Sequence, residues 1–277
     1  MSGRAALAAA LLVACAACAP IPLASESAFH PSDAALGITR VVHGTFVLEL
    51  DATRLLVDPW FHSGIFTRQA EPLGLVPATL PRLAALLVTG DFPEHLDPHA
   101  LHDLAATVPR AIGPPSLRER LLALGFRDVT GLAWWEPTTV DGLTITAVPA
   151  GGGATTNGYV VASRAARVYL AGPTTAFPGL VDIAVAFPRV DVAILPIGGR
   201  RVLGVLHEMT PEQAADAAAT LDAVRVVPSG YGARSRSPLI WHAGSALDRF
   251  RTAMAAKGLA ERVLVLEPGE SWHYAKP

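Results

Sequence analysis

Thr89 to Asp97 reads Thr-Gly-Asp-Phe-Pro-Glu-His-Leu-Asp. Asp91, Glu94, His95 and Asp97 crowd three carboxylates and one imidazole into a short stretch. Carboxylate oxygens and imidazole nitrogens at such density are the ligand set of a zinc or similar divalent cation. Gly90 and Phe92 interrupt the pattern, because neither side chain carries a lone pair. The spacing is that of a metal loop, and the residue types are not.

The elements that must position this loop can be read on either side of it. Residues 83–88 form a continuous apolar run, as expected of a central strand covered on both faces. After the loop, Asp97 is placed to N-cap a helix with Pro98 at its first position. Upstream, 38–50 reads as a strand pair and 54–57 as a strand ending at Asp58-Pro59-Trp60. Downstream, Ser116 to Glu119 and Thr210 to Gln213 both read as capping boxes, the second followed by a helix to about Leu221. Strands are expected at 128–132, 138–140, 143–148, 159–162, 167–170, 192–195, 223–227 and 262–266, with a last helix over 246–257. Strands first, then strands mixed with helices and no second linker, predict one domain of sheets covered by helices.

The chain has 277 residues, 51% of them hydrophobic and 17% charged, enough for a sizeable core. A formal net charge of −2 without a basic stripe excludes a nucleic-acid surface. Arg4 and the apolar stretch 5–14 form a leader too short to span a bilayer, which takes roughly 20 residues. Leu-Val-Ala-Cys at 12–15 resembles the bacterial lipobox, so Cys15 is expected to carry a lipid anchor. The expected division is signal peptide 1–14, tether 15–30 and domain 31–277, exported and membrane-anchored on the periplasmic or extracellular side. Cleavage near Cys18 is the alternative. Both cysteines lie in this leader, so any metal in the domain must use His, Asp or Glu.

Eight segments in order resemble the metallo-β-lactamase fold, in the branch of the ascorbate-6-phosphate lactonases and N-acyl-phosphatidylethanolamine phospholipase D. They are ITRVVHGTFVLELDATRLLVDPWF, LLVTGDFPEHLDPHAL, TAVPAGGG, VYLAGPT, DVAILPIGG, HEMTPEQAADA, VVPSGYG and VLEPGESW. The resemblance implies a four-layer αββα sandwich of the α/β class. It also implies a hydrolase with one or two zinc ions, on a phosphoester, lactone or amide. Carried over residue by residue, the family's ligand positions fall on Gly90, Phe92, Glu94, His95, Gly152, Pro173 and Gly230. His95 survives unchanged and Glu94 conservatively, and five positions have lost every donor. Three protein ligands are needed even at an open zinc site, so the usual dinuclear centre is predicted absent.

Two readings follow. In the first, the domain is a non-catalytic pseudoenzyme with no metal. The vacated site is then an apolar cleft walled by Phe92, which binds a small molecule or an envelope protein. In the second, a displaced mononuclear site with zinc or another divalent metal hydrolyses a substrate of the family's class. Its ligands would come from Glu94, His95 and Asp58, within a wider set of His43, Asp91 and His207. His99, His102, His242 and His273 are expected to be surface or structural residues, and Trp134-Trp135 a hydrophobic plug. Ser229 or Thr174 as a nucleophile has no Gly-x-Ser-x-Gly elbow behind it.

Overall fold

A computed structural model describes residues 29–32, 34–153 and 155–274. Cys15, the signal segment and most of the tether lie outside these residues.

Two sheets face each other. The first is built from β1 (Leu36–Val42), β2 (Thr45–Leu50), β3 (Thr53–Val57), β4 (Ala85–Leu87), β5 (Arg110–Gly113) and β6 (Asp128–Gly131). The second is built from β7 (Pro137–Val140), β8 (Leu143–Val148), β9 (Gly158–Ala162), β10 (Arg167–Leu170), β11 (Val192–Pro196) and β12 (Arg225–Ser229). The final strand, β13 (Ser271–Tyr274), returns to the first sheet, whose order is β13-β1-β2-β3-β4-β5-β6. The second sheet runs β12-β11-β10-β9-β8-β7. Each sheet is antiparallel at one side and parallel at the other: β3 to β6 run parallel, as do β10 to β12.

The period-two alternation of the strands makes the layers. Leu36, Ile38, Phe46, Leu48, Leu55 and Val57 point inward and meet Ile145 and Val161 of the facing sheet. Val41, Val47, Leu56 and Leu86 point the other way, onto α1 (Pro98–Leu104) and α2 (Arg118–Ala123). The outer face of the second sheet is covered by α3 (Leu180–Ala186), α4 (Pro211–Leu221) and α5 (Ala246–Ala256), through Ile183, Ala214, Leu221, Phe250 and Met254. The architecture is the expected αββα sandwich.

Most expected elements form, and the differences have physical causes. Residues 262–266 make only a single bridge, Val226 to Val263, and the closing strand is β13 instead. Ser116 makes no capping bond, because Pro114 and Pro115 open a 3-10 turn there and α2 starts two residues after Ser116. By contrast, Thr210 and Gln213 form the reciprocal capping box at α4, with Pro211 at its first position.

The parallel strands deliver their C-terminal ends to one edge of the sandwich, the usual location of a ligand site in parallel sheets. The loop after β4 is held there by Asp97. Its Oδ1 accepts from His99 N and Ala100 N of α1, both at 3.1 Å. Its Oδ2 accepts from Phe61 N, His62 N and His62 Nδ1 at 2.8–3.0 Å. One buried carboxylate therefore caps a helix and anchors the loop after β3. Asp97→Ala removes both functions and is expected to lower the unfolding free energy by about 3 kcal/mol, read by urea denaturation.

Candidate metal centre

Four segments converge at this edge. His43 lies in the turn between β1 and β2, and Asp58 follows β3. The β4 loop brings Thr89, Glu94 and His95, while Arg200 and Glu208 belong to the excursion between β11 and α4. All are buried, His43 completely. His43 and Asp58 have φ of 51° and 44°. This left-handed region is uncommon for non-glycine residues, with Asp and His among those that enter it most readily.

Asp58 organises the centre. Its Oδ1 accepts from Thr89 N at 2.7 Å and its Oδ2 from the Thr89 hydroxyl. Oδ2 also pairs with His95 Nδ1 at 2.7 Å. With Nδ1 committed, His95 Nε2 is turned toward Glu208, 3.7 Å from Oε1, and has no hydrogen-bond partner. His43 packs edge-on against Trp60, and both its ring nitrogens are buried without partners. Glu208 Oε2 is unpartnered as well. Buried polar atoms are nearly always satisfied, so unpartnered atoms on three neighbouring side chains mark a place built for something more. His43, His95 and Glu208 each present a ligand atom there, all within 4.8 Å of one another.

The positions of the lost ligands explain why the donors moved. A Cβ on Gly90 would lie 2.8 Å from Pro173 Cγ, and one on Gly152 would lie 2.7 Å from Thr156 Oγ1. That half of the family's site is filled by packing. Gly230 differs: a Cβ there would lie 3.2 Å from Glu208 Oε2. A Cβ on Gly198 would lie 2.8 Å from the same oxygen. The two glycines make room for the Glu208 carboxylate, which takes the volume that a side chain at 230 would occupy.

Asp58, Glu94, His95, His43 and His207 come together as expected, but in different roles. Asp58 orients His95. Glu94 faces Arg200, with Oε1 3.5 Å from Nε. The Arg200 guanidinium in turn stacks 4.2 Å above the Phe92 ring. Phe92 therefore walls no open cleft; it carries a buried cation, and His207 also meets its ring edge-on. Asp91 is exposed and takes no part. His242, read as surface or structural, has a buried and unpartnered Nε2, and burial lowers its pKa despite the nearby Glu208 and Glu94. Trp134 donates from Nε1 to Thr156 O, beside the filled half. Among the described residues no hydrogen bond joins Ser229 or Thr174 to a histidine. Sequence reasoning missed Glu208 and Arg200. The available signal was an acid two residues before the Thr210 cap, where no helix dipole or capping box calls for it.

These are the surroundings of a known superfamily. The family described as the beta-lactamase superfamily domain matches residues 53–231. The chain belongs to that family, and its fold is the metallo-β-lactamase sandwich. It is 28% identical over 234 residues to a UPF0173 metal-dependent hydrolase of Pyrobaculum aerophilum, covering 82% of this chain and 95% of that protein. A UPF0173 metal-dependent hydrolase of Methanopyrus kandleri is 29% identical over 247 residues, covering 85% and 98%. The solved structure of a metallo hydrolase from Ignicoccus hospitalis superposes with a TM-score of 0.70 at 25% identity, covering 87% of this chain and 99% of that one.

Without a metal, the two histidines titrate in opposite directions. Burial holds His43 well below the usual imidazole value, and the neighbouring His95 adds to the effect. Burial acts against the charged form of His95 too, but the Asp58 carboxylate, helped by Glu208, overrides it and raises the pKa to about 10. A raised histidine stabilises the fold fully below its unfolded value of about 6.5, and that contribution is lost as pH rises toward 10. In chelator-stripped protein, the stability difference between wild type and His95→Gln should therefore shrink steadily from pH 6.5 to 10, followed by thermal melts. A difference that does not change with pH would contradict the imidazolium assignment.

Proposed function

We propose that this protein is a metal-dependent hydrolase with a mononuclear site held by His43, His95 and Glu208. The observation that carries the reading is the convergence of one ligand atom from each of these buried residues within 4.8 Å of one another, with unpartnered polar atoms on all three side chains. Two imidazoles and a carboxylate are a complete protein ligand set for a catalytic zinc with an open position. Charge supports the same reading. Among the described residues Arg200 is the fixed cation paired with these carboxylates, through Glu94, while Arg40 is matched by Glu71. Asp58, Glu94 and Glu208 with Arg200 leave a formal −2 when the imidazoles are neutral. A divalent cation balances it.

The metal would supply Lewis acidity, acidifying water and polarising the substrate oxygen. The protein's own residues do the rest. Asp58 keeps the His95 proton on Nδ1 and leaves Nε2 as the donor, the carboxylate–histidine arrangement that tunes many metal sites. Thr89 fixes Asp58 through two hydrogen bonds. His43 stays neutral through burial, so its lone pair is available without first losing a proton. His95 must give up its proton to a metal, so affinity rises with pH. His207 sits at the rim with its pKa lowered, chiefly by burial and then by Arg200, and is placed to accept a proton there. The substrate class the resemblance implies, a phosphoester, lactone or amide, suits this chemistry.

The non-catalytic reading has less behind it. It needs an open apolar cleft where the ligands were lost, and the cavity lined by Asp58, Thr89, His95 and Gly230 is only about 20 Å3. That is room for about one water or one ion.

Purified protein is expected to contain one equivalent of a divalent metal by elemental analysis. His43→Ala and Glu208→Ala should abolish it, and Glu94→Gln should retain it. Asp58→Asn should weaken binding by about 10–100-fold, as loss of an orienting partner does. Metal-free protein that cannot be loaded with zinc, manganese or iron would sink the proposal.

We further propose that the chain is exported and anchored through Cys15, on the leader pattern alone. Cys15→Ser should move the protein from the membrane to the soluble fraction, and persistent membrane association of that variant would contradict the anchor.

A further inference from the structure

Two small sheets stand at the rim of the centre. In one, Thr67–Gln69 pairs with Ala233–Ser235. In the other, Arg201–Val202 pairs with Val205–Leu206 and with Ile240–Trp241. Residues 236–239 tie them together: Arg236 N donates to Phe66 O at 2.7 Å, and Leu203 N to Leu239 O at 2.8 Å. The chain runs from Leu206 directly into His207 and Glu208, and from Trp241 into His242.

The surface of this rim is unusual in two respects. Ile65, Phe66, Leu203, Val205, Leu239 and Trp241 are all at least half exposed, Ile65 at 83% and Leu203 at 69%. Large apolar side chains clustered on a surface mark an interaction site. Between them stand Arg68, Arg201, Arg234 and Arg236, all exposed. Arg68 and Arg234 are direct cross-strand partners. Like charges at such a position repel and destabilise the pairing, so an anion between them would relieve a real cost. Among the described residues none of the four arginines takes part in an ion pair, and stretches 59–70, 199–207 and 231–247 contain no Asp or Glu. In a chain of formal net charge −2 this excess is local.

We propose that this rim docks on an anionic lipid bilayer, with the apolar residues entering the interface and the arginines meeting lipid phosphates. Apolar exposure alone would serve a second copy of the chain equally well. The opposed arginines do not, because a second copy brings the same positive charge to a two-fold contact. Docking in this orientation brings the segments that lead into His207, Glu208 and His242 to the lipid surface, and it holds whether or not a metal is bound at the centre.

The test is cosedimentation of the purified full-length protein carrying Cys15→Ser, so that no lipid anchor contributes, with vesicles of phosphatidylglycerol and phosphatidylcholine, and with vesicles of phosphatidylcholine alone. Binding to the anionic vesicles is expected, falling steeply with salt. Arg68→Gln with Arg234→Gln should lower that partitioning by roughly 25-fold, taking the usual contribution of an arginine near an anionic surface. Leu203→Ser with Trp241→Ser should lower it on both kinds of vesicle. Val181→Ser with Val185→Ser, equally exposed but on α3, should leave it unchanged. Equal binding of the rim variants and wild type would place any membrane affinity elsewhere in the chain and overturn the proposal. So would a rim variant that turns a dimer into a monomer without changing vesicle binding, because the face would then be an interface between copies.

Discussion

Everything at the centre depends on the Asp58 carboxylate. It lies at the end of β3 in a left-handed conformation and accepts from the backbone and hydroxyl of Thr89 at the end of β4. It thereby ties together the ends of two parallel strands. The same group pairs with His95 Nδ1, so strand register and imidazole tautomer are set by one buried charge. Such a charge is expensive to bury unless its partners are well placed. Here the partners are also the chemistry.

The remaining charges are arranged around that fixed point. Arg200 lies between the Phe92 ring and the Glu94 carboxylate. It has become an internal counter-ion on the side where the family's loop histidine is missing. Glu208 sits on the other side, where Gly198 and Gly230 leave space. On one side the charge of Glu94 is matched by Arg200, and on the other His43, His95 and Glu208 have no such cation among them. This asymmetry explains how a chain that has lost five ligand positions still retains a three-donor cluster.

The sandwich was legible because it rests on local patterns. Alternation along 36–57, the Asp97-Pro98 cap and the Thr210–Gln213 box each specify an element through short-range chemistry. The edge strand β13 was not legible, because its pairing with β1 joins residues far apart in the chain. The centre was half legible. His95, Asp58 and His43 could be named as candidates from residue type and segment. Their division of labour could not, since it depends on which nitrogen faces which carboxylate. Glu208 was hidden for a related reason: only the folded chain shows that its carboxylate fills the volume left by a distant glycine.

The packing around Gly90 bears on the history open to such a protein. A side chain restored at 90 would strike Pro173, one at 152 would strike Thr156, and one at 230 would need a left-handed backbone beside Glu208. Each of these three glycine positions is hemmed in by a different residue. At these three glycines a single substitution does not restore a ligand; each needs a second change in the residue it would meet. The fold has become a ratchet, free to vary its rim but held to the ligand set it now has.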